Sequence, residues 1–336
     1  MKEDRATTQK YVGITVDHDR GNNIIKLSMP GYVKKAITRF GSATKGGAKS
    51  PLLYIPPNYG TGVQTATDEP PGANISVDKT MQTFIQEVTG VFLFYSRAVD
   101  PTMLTAVNKF SMQQAKPTMA TKHAVDRLLS YAERYPDAHI IFRPSNMKLC
   151  AQSDASYHSE SGARSRAGGI LYFGIDPLGC INGAIDYIST VISTVCSSAA
   201  EAEYAALFII GREVTNARQI LADLGYPQET TTIKCDNLCA VGIANQEVKQ
   251  KRSKAIDMRY HWSQDQVQQK KLHVEWAKGN TNLADYFTKA HPVHHYVSMR
   301  RTYVHTPKPA IINQCARSRR IQFRRTRTYY ATYASP

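Results

Sequence analysis

One ordered succession of short strands and helices, beginning at residue 149, constrains the fold of this chain more than any other feature. Three short apolar stretches come first, and a long helical pattern follows that Ser198 opens and Gly225 closes. The predicted strands span 149–153, 167–173, 184–189, 231–235 and 272–276, and the predicted helices span 198–224, 238–245, 256–268 and 281–289. This order, βββαβααβα, predicts a mixed α/β domain over residues 147–290.

The first half of the chain has a different pattern. Alternating residues over 11–16 and 24–28 flank a polar turn and predict a β-hairpin, and an amphipathic helix is predicted over 30–40. Prolines and glycines then predict an exposed linker, followed by a helical segment with helices at 81–98, 101–114 and 120–135. The predicted domain boundaries are 1–54, 55–79, 80–146, 147–290 and 291–336.

The net charge of +15 on 336 residues is unevenly distributed. Residues 1–148 carry 19 basic and 12 acidic side chains, residues 149–290 carry 14 and 15, and residues 291–336 carry nine basic and no acidic ones. This basicity suits a polyanionic partner such as nucleic acid, although solubility alone is an alternative explanation. The last segment also lacks helical periodicity, and we predict that it is a basic, disordered tail.

Membrane and disulfide-rich classes are not indicated. No stretch approaches the roughly 18 uninterrupted apolar residues of a membrane span, and no apolar region follows the charged N-terminal residues as in a signal peptide. The six cysteines, at 150, 180, 196, 235, 239 and 315, include no C-x-x-C pair, which fits reduced thiols better than disulfides or a zinc site. We therefore expect an intracellular protein without a membrane partner.

Four carboxylates stand where this architecture would place functional groups, and each also has a structural interpretation. Asp154 ends the first predicted strand, where an Asx turn is the ordinary interpretation. Glu203 lies in the first turns of the long helix, where a capping box accounts for Glu201 but not for Glu203. Asp236 is in position to cap a helix, and Asp285 to favour a helix dipole. Taken singly, each acid is more often structural than catalytic.

Taken together, the four acids predict a metal centre. Two follow predicted strands and two lie at helix starts, so that folding can bring all four to one crevice. Four carboxylates in one place repel each other unless cations neutralise them, and hard oxygen ligands select Mg²⁺, with Mn²⁺ as a substitute. Two such ions about 4 Å apart activate a water and stabilise the leaving oxygen of a phosphodiester, which is a nuclease mechanism.

Five motifs follow one another in the second half: SDA at 153–155, SSAAEAEY at 197–204, CDN at 235–237, IDMRYH at 256–261 and LADYFTK at 283–289. In this order they resemble the ribonuclease H domain of copia-type LTR retrotransposon Pol polyproteins. Upstream, YVGI at 11–14 and RFG at 39–41 resemble the segment after the reverse transcriptase palm, and residues 88–111 resemble the connection. The resemblance covers residues 10–290 and leaves out the tail.

The resemblance implies a ribonuclease H-like α/β fold, in which a mixed five-stranded sheet with flanking helices is preceded by a small α+β reverse transcriptase remnant. It implies endonucleolytic hydrolysis of the RNA strand of RNA/DNA hybrids, with Asp154, Glu203, Asp236 and Asp285 as ligands of two Mg²⁺ ions. It also implies location in a cytoplasmic virus-like particle or the nucleus. The chain has no Asp-Asp dipeptide, so we expect no polymerase activity and interpret it as the C-terminal part of a longer Pol protein.

Further residues are candidates for contact with the nucleic acid. A basic run with a neighbouring arginine suits phosphate contacts, although a solvated charged face is the alternative; it consists of Lys249, Lys251, Arg252, Lys254 and Arg259. Ser156 and Asn237 are candidates for the 2′-hydroxyls of RNA. Lys278 stands where many ribonucleases H carry a mobile histidine. The expected partners are an RNA/DNA hybrid and the missing palm, and the competing hypothesis is a catalytically decayed nucleic-acid-binding remnant.

Overall fold

The structure is a computed structural model that describes residues 8–41, 47–56, 75–174, 181–247 and 257–306, with the backbone alone at 257–260. Most of the predicted linker, the basic run at 249–254 and the chain beyond 306 lie outside the described residues. Within the described ranges, no helix is long and apolar enough to cross a membrane.

The first part consists of an antiparallel sheet and four helices. The elements are β1 (Thr8–Tyr11), β2 (Ile14–Asp19), β3 (Ile24–Ser28), α1 (Tyr32–Phe40), α2 (Lys79–Ala98), α3 (Leu104–Gln113), α4 (Met119–Arg134) and β4 (His139–Phe142). The strand order is β1-β2-β3-β4, and the helices pack around one apolar core that includes Val33, Phe92 and Leu128. The predicted hairpin and helices are present, whereas β1 and β4 were not predicted.

The second part consists of a mixed sheet flanked by helices. Its elements are β5 (Cys150–Glu160), β6 (Arg164–Tyr172), β7 (Asp186–Val191), α5 (Ala199–Asp223), β8 (Thr231–Cys235), α6 (Leu238–Ala244), α7 (Asp257–Gln268) and β9 (Leu272–Trp276). The sheet order is β7-β6-β5-β8-β9, in which β5, β6 and β7 are antiparallel, β8 is parallel to β5, and β9 is parallel to β8. Tyr204, Ile210 and Val214 of α5 share a core with Ile233 and Val274. Strand β5 is therefore the middle strand of a covered sheet.

Local signals account for both ends of α5. The Ser198 hydroxyl accepts a hydrogen bond from the Glu201 N–H at 3.2 Å, and the Glu201 carboxylate accepts one from the Ser197 N–H at 2.8 Å. Gly225 follows the helix with φ +88°, a conformation that glycine adopts without steric cost. These interactions hold Glu201 at the start of the helix. Glu203 takes no part in them and lies on the side of the helix that faces the sheet.

The prediction that the first strand ends at Asp154 is wrong. Strand β5 continues to Glu160, with Ser156 opposite Arg166 and a bulge before Glu160 pairs with Arg164. The polar residues that follow the predicted strand 149–153 are held in the sheet because Arg166 is fully buried and its Nε donates to the Glu160 carboxylate at 2.7 Å. Asp154 therefore lies in the middle of the central strand, directly opposite Gly168.

The predicted helix over 281–289 is also wrong. The segment forms two 3₁₀ turns, Gly279–Thr281 and Leu283–Phe287. Asn282 separates them, and its side-chain oxygen accepts from the Ala284 N–H at 3.1 Å. The segment is drawn onto β5 because the Asn282 amide donates to the Ser153 carbonyl at 2.9 Å, and the Gln152 side chain accepts from the Leu283 N–H at 2.7 Å.

The prediction of disorder is wrong for the start of the segment 291–336. Residues Val293–Tyr303 form α8, and Tyr296, Arg300 and Tyr303 of this helix are buried. Arg300 forms an ion pair with Asp100 at 2.7 Å, in which the exposed fractions of the two side chains are 5% and 0%. Buried tyrosines and a buried ion pair order this helix despite the absence of acids in its sequence. The boundaries between the other predicted segments stay predictions.

Candidate active site

Asp154 occupies the centre of the candidate site. It projects from the middle of β5 and is only 4% exposed. The Asn282 amide nitrogen lies 3.4 Å from its Oδ1 atom, and the nearby Thr288 hydroxyl lowers the pKa of its carboxyl group. Strand β5 lies between β6 and β8, and Asp154 is in its middle. The Asp154 carboxylate is therefore enclosed by protein and does not lie at an open end of a strand.

Glu203 faces Asp154 from the second turn of α5. It is 7% exposed, and its Oε2 atom lies 4.0 Å from the Sγ atom of Cys235. The backbone N–H of Ala155 donates to its carboxylate. The helix is placed there by the apolar residues that surround Glu203 in sequence, since Ala202, Tyr204 and their neighbours are buried against the sheet.

Asp236 follows directly after β8 and is half-buried. The structural interpretation, in which it caps the next helix, is wrong, because Asn237 is the N-cap of α6 and accepts from the Ala240 N–H at 3.1 Å. Potential ligand atoms of Glu203, Cys235 and Asp236 lie within 4.8 Å of one another. The Asp236 carboxylate is thus directed to the same place as Glu203.

Asp285 lies in the second 3₁₀ turn, which Asn282 and Gln152 hold against β5. Its Oδ1 atom accepts from the Lys289 ammonium at 2.6 Å, and its Oδ2 atom lies 3.8 Å from Nδ1 of His291. The side chain is 29% exposed. Asp285 therefore stands at the open side of the site, between a cation and a histidine.

Two glycines allow these segments to approach so closely. A Cβ atom on Gly168 would lie 2.5 Å from the Ala284 carbonyl oxygen and 2.6 Å from the Thr288 side chain. A Cβ atom on Gly279 would lie 2.7 Å from the Asp236 carboxylate. Side chains at either position would push apart the strand and the turns that carry the acids.

Electrostatic coupling shows that the four acids converge. Burial raises the pKa of Asp154 to about 8, and the nearby Asp285 and Asp236 carboxylates add to the rise. Burial raises the pKa of Glu203 to about 9, with Asp154 and Asp236 as the next causes. The pKa of Asp236 is also raised, first by burial and then by Asp285. Asp154, Asp236 and Asp285 therefore each disfavour ionisation of another carboxylate, as expected for a shared site.

The donor set fits hard divalent cations. Lys289 lowers the pKa values of Asp154, Glu203 and Asp236, so its ammonium already supplies part of the positive charge that the cluster requires. Burial, followed by the Glu203 carboxylate, raises the pKa of the Cys235 thiol, which keeps the sulfur protonated. The available ligands are therefore carboxylate oxygens, which suit Mg²⁺ or Mn²⁺ better than Zn²⁺.

The predicted nucleic-acid-binding residues are only partly described. Ser156 is half-buried on β5, two residues beyond Asp154, and Lys278 is exposed just before Gly279. Asn237 is half-buried beside Asp236, although its side-chain oxygen is used for the helix cap. The basic run Lys249, Lys251, Arg252 and Lys254 and the side chain of Arg259 lie outside the described residues.

Several residues of the site were not found from the sequence. Gln152 and Asn282 position the turn with Asp285, Gly168 makes room for it, and Lys289 neutralises part of its charge. An asparagine immediately before Leu283 is a recognisable cap signal. Gly168 has no local signal, because its role depends on a segment more than a hundred residues further along the chain.

Comparisons with known proteins agree with the sequence resemblance. No protein-family model matches the chain. A retrovirus-related Pol polyprotein from transposon TNT 1-94 of Nicotiana tabacum is 24% identical over 291 residues, which cover 86% of this chain and 21% of that protein. The corresponding polyprotein from transposon RE2 of Arabidopsis thaliana is 30% identical over 200 residues, which cover 59% of this chain and 13% of that protein. The chain thus spans about a fifth or less of the length of these relatives.

Solved structures with similar segments include LC11-RNase H1 in complex with an RNA/DNA hybrid. The two sequences are 15% identical, the TM-score is 0.31, and the similar region covers 42% of this chain and 94% of that chain. A foamy viral protease-reverse transcriptase in complex with dsDNA is 10% identical with a TM-score of 0.45 and covers 82% of this chain and 45% of that chain. The curated relatives are copia-type, which confirms the predicted resemblance. The predicted α/β class with a mixed five-stranded sheet is confirmed by the structure.

Proposed function

We propose that this chain cleaves the RNA strand of RNA/DNA hybrids endonucleolytically, with Asp154, Glu203, Asp236 and Asp285 as the ligands of two Mg²⁺ ions. The observation that carries the proposal is the convergence of four carboxylates, two of them buried with pKa values raised to about 8 and 9. Such a cluster is unfavourable in a protein unless cations neutralise it. A ribonuclease H-type role with bound Mg²⁺ would explain why the chain carries such a cluster.

Each residue of the proposed site has its own role. Bound Mg²⁺ would supply Lewis acidity for the attacking water and the leaving oxygen, and Mn²⁺ would substitute for it. Asp154 is the central ligand, and Asn282 fixes its Oδ1 atom. Glu203 and Asp236 form one side of the site, and Asp285 with Lys289 forms the other. The exposed position of Asp285 makes this side the entry for a scissile phosphate.

Substrate selection is proposed to use residues around this entrance. Ser156 and Asn237 lie near Asp154 and Asp236 in sequence and suit contacts with the 2′-hydroxyls of RNA. Lys278 and the basic residues Lys249, Lys251, Arg252, Lys254 and Arg259 suit phosphate contacts. The other Pol parts, including the reverse transcriptase palm, are proposed partners, and a virus-like particle or the nucleus is the proposed location.

The test is cleavage of an end-labelled RNA/DNA hybrid by the purified full chain. Cleavage with Mg²⁺ is expected, with loss in EDTA and a decrease of at least a hundredfold in Asp154→Asn, in line with the loss of a group essential to metal catalysis. Asp186→Asn is the matched control, because Asp186 is an acid on β7 of the same sheet and pairs with Arg97 at 3.9 Å. Equal activity of Asp154→Asn and the parent protein would refute the assignment.

The alternative function is a non-catalytic nucleic-acid-binding remnant. It is favoured by the positive charge that flanks the slightly acidic middle segment, with 19 basic and 12 acidic residues before it and nine basic residues after it. Binding that weakens steeply with salt, without cleavage in Mg²⁺ or Mn²⁺, would identify this function.

A further inference from the structure

A second group of potential metal ligands lies beside the four acids, where the last 3₁₀ turn leads into α8. Ligand atoms of Asp285, His291 and His295 lie within 4.8 Å of one another. His291 is 4% exposed, and His295 is half-buried. The group combines one carboxylate with two imidazoles, which differs in chemistry from the all-carboxylate cluster.

Hydrogen bonding determines which nitrogen of His291 is available. Its Nε2 atom lies 3.0 Å from the Asp285 carbonyl oxygen. A carbonyl oxygen only accepts, so Nε2 carries the proton and Nδ1 carries a lone pair. That lone pair faces the Oδ2 atom of Asp285 at 3.8 Å. Nδ1 and Oδ2 are both hydrogen-bond acceptors, and they are too far apart for a hydrogen bond. A cation bound to both atoms would stabilise this arrangement.

His295 provides the third potential ligand. Its Nε2 atom is buried and has no hydrogen-bond partner among the residues that the structure describes. Its ring stacks on the ring of His291 with the centroids 4.3 Å apart, and Tyr286 lies 6.0 Å from one imidazole and 6.1 Å from the other. Aromatic stacking alone accounts for the position of the rings. It does not account for an unpartnered buried nitrogen, which is costly in a protein interior.

We infer that Asp285, His291 and His295 form a binding site for a divalent transition-metal ion of the zinc class. The ligands are Oδ2 of Asp285, Nδ1 of His291 and Nε2 of His295, with water in the remaining position. Zinc binds imidazole nitrogen and carboxylate oxygen at about 2.0–2.2 Å, so tetrahedral ligand atoms lie about 3.4 Å apart. Ligand atoms of the three residues lie within 4.8 Å of one another, and Oδ2 of Asp285 is 3.8 Å from Nδ1 of His291, so metal binding would draw the ligands closer together.

The site is coupled to the four-acid cluster through Asp285. Lys289 holds the Oδ1 atom of this carboxylate at 2.6 Å, while Oδ2 is directed to His291. Zinc bound at Oδ2 withdraws Asp285 from the neighbouring cluster. This consequence rests on the proposed function: micromolar zinc inhibits Mg²⁺-dependent cleavage of the hybrid, and substitution of His295 relieves the inhibition.

Binding is tested without reference to activity. Isothermal titration of the metal-free full chain with Zn²⁺ is expected to show one tight site, and Co²⁺ is expected to give the visible absorption of a nitrogen- and oxygen-coordinated ion. His295→Phe keeps a stacked ring, removes the nitrogen ligand and is expected to weaken binding at least tenfold. His294→Phe is the matched control, because His294 is exposed and stands next to His295.

Glu203→Gln separates the two sites, because it removes a ligand of the acidic cluster and leaves the histidines intact. Unchanged zinc affinity in this variant supports the inference. Equal affinity of His295→Phe and the parent protein, or loss of binding in Glu203→Gln alone, overturns it. If His295→Phe does not fold, X-ray absorption of the Zn²⁺-loaded parent protein decides the question: two imidazole ligands on the ion are expected, and fewer than two refute the site. Zinc binding without hybrid cleavage would refute only the proposed function.

Discussion

Replacement of Asp154 by asparagine is expected to stabilise the metal-free protein at neutral pH. The pKa of Asp154 is about 8 in the folded chain, against an ordinary value of 3.8. A raised carboxyl pKa means that the folded state binds the proton more tightly than the unfolded state. The contribution of Asp154 to the free energy of unfolding therefore decreases as the pH rises from about 4 to about 8, and it does not decrease further above the folded pKa.

The magnitude follows from the size of the shift. Each pH unit between the two pKa values costs about 1.4 kcal/mol, so the penalty reaches about 4 kcal/mol at pH 7. Asparagine does not ionise, so the Asp154→Asn protein does not undergo this loss of stability. The stability advantage of Asp154→Asn should thus be below about 1 kcal/mol at pH 4, about 1–2 kcal/mol at pH 5, and largest at pH 8.

Urea unfolding in EDTA at pH 4, 5, 7 and 8 measures this advantage. Asp223→Asn is the control, because Asp223 is exposed at the end of α5 and accepts a hydrogen bond only from the exposed Gln219 side chain among the described residues. Added Mg²⁺ should stabilise the parent at pH 8 and reverse the order of the two proteins, since only the parent retains the complete ligand set. A parent protein whose stability rises between pH 5 and pH 8 relative to the variant would refute the reasoning.

Two further substitutions test how the site is supported. Gly168→Ala should lower cleavage and destabilise the protein by about 1–3 kcal/mol, because the new Cβ atom would lie 2.5 Å from the Ala284 carbonyl oxygen. Thermal unfolding and hybrid cleavage measure the two effects. Gly90→Ala is the control, because a Cβ atom at that position meets no atom within 4 Å. Arg300→Met should cost about 3–5 kcal/mol in urea unfolding, because it leaves the fully buried Asp100 carboxylate unpaired. A loss below about 1 kcal/mol would show that Asp100 finds water or another donor.

Elements with a strong local pattern were predicted well. The strands Thr231–Cys235 and Leu272–Trp276 have the predicted bounds, because each is a short apolar alternation between clear turn residues. The helix after Ser198 begins where its capping residues stand. The four acids were selected from the sequence because local structure left Glu203 without a capping role and because the motifs around all four resemble a known family.

Elements that depend on distant partners were predicted poorly. The outer half of β5 has a polar sequence and is a strand only because β6 and the buried Arg166 pair with it. The segment around Asp285 has a helical composition but is pulled into 3₁₀ turns by hydrogen bonds to Gln152 and Ser153. Helix α8 has no acids, and its order comes from Tyr296, Arg300 and Tyr303 in the core.

By itself, the sequence determined the order of strands and helices between residues 149 and 276 and the identity of the four acids, because periodicity, caps and motifs are local properties of the chain. Only the tertiary structure decided where those acids stand, how deeply Asp154 and Glu203 are buried, and that His291 and His295 lie against Asp285. The physical reason is that burial and charge coupling depend on contacts between segments more than a hundred residues apart, such as Asn282 with Ser153.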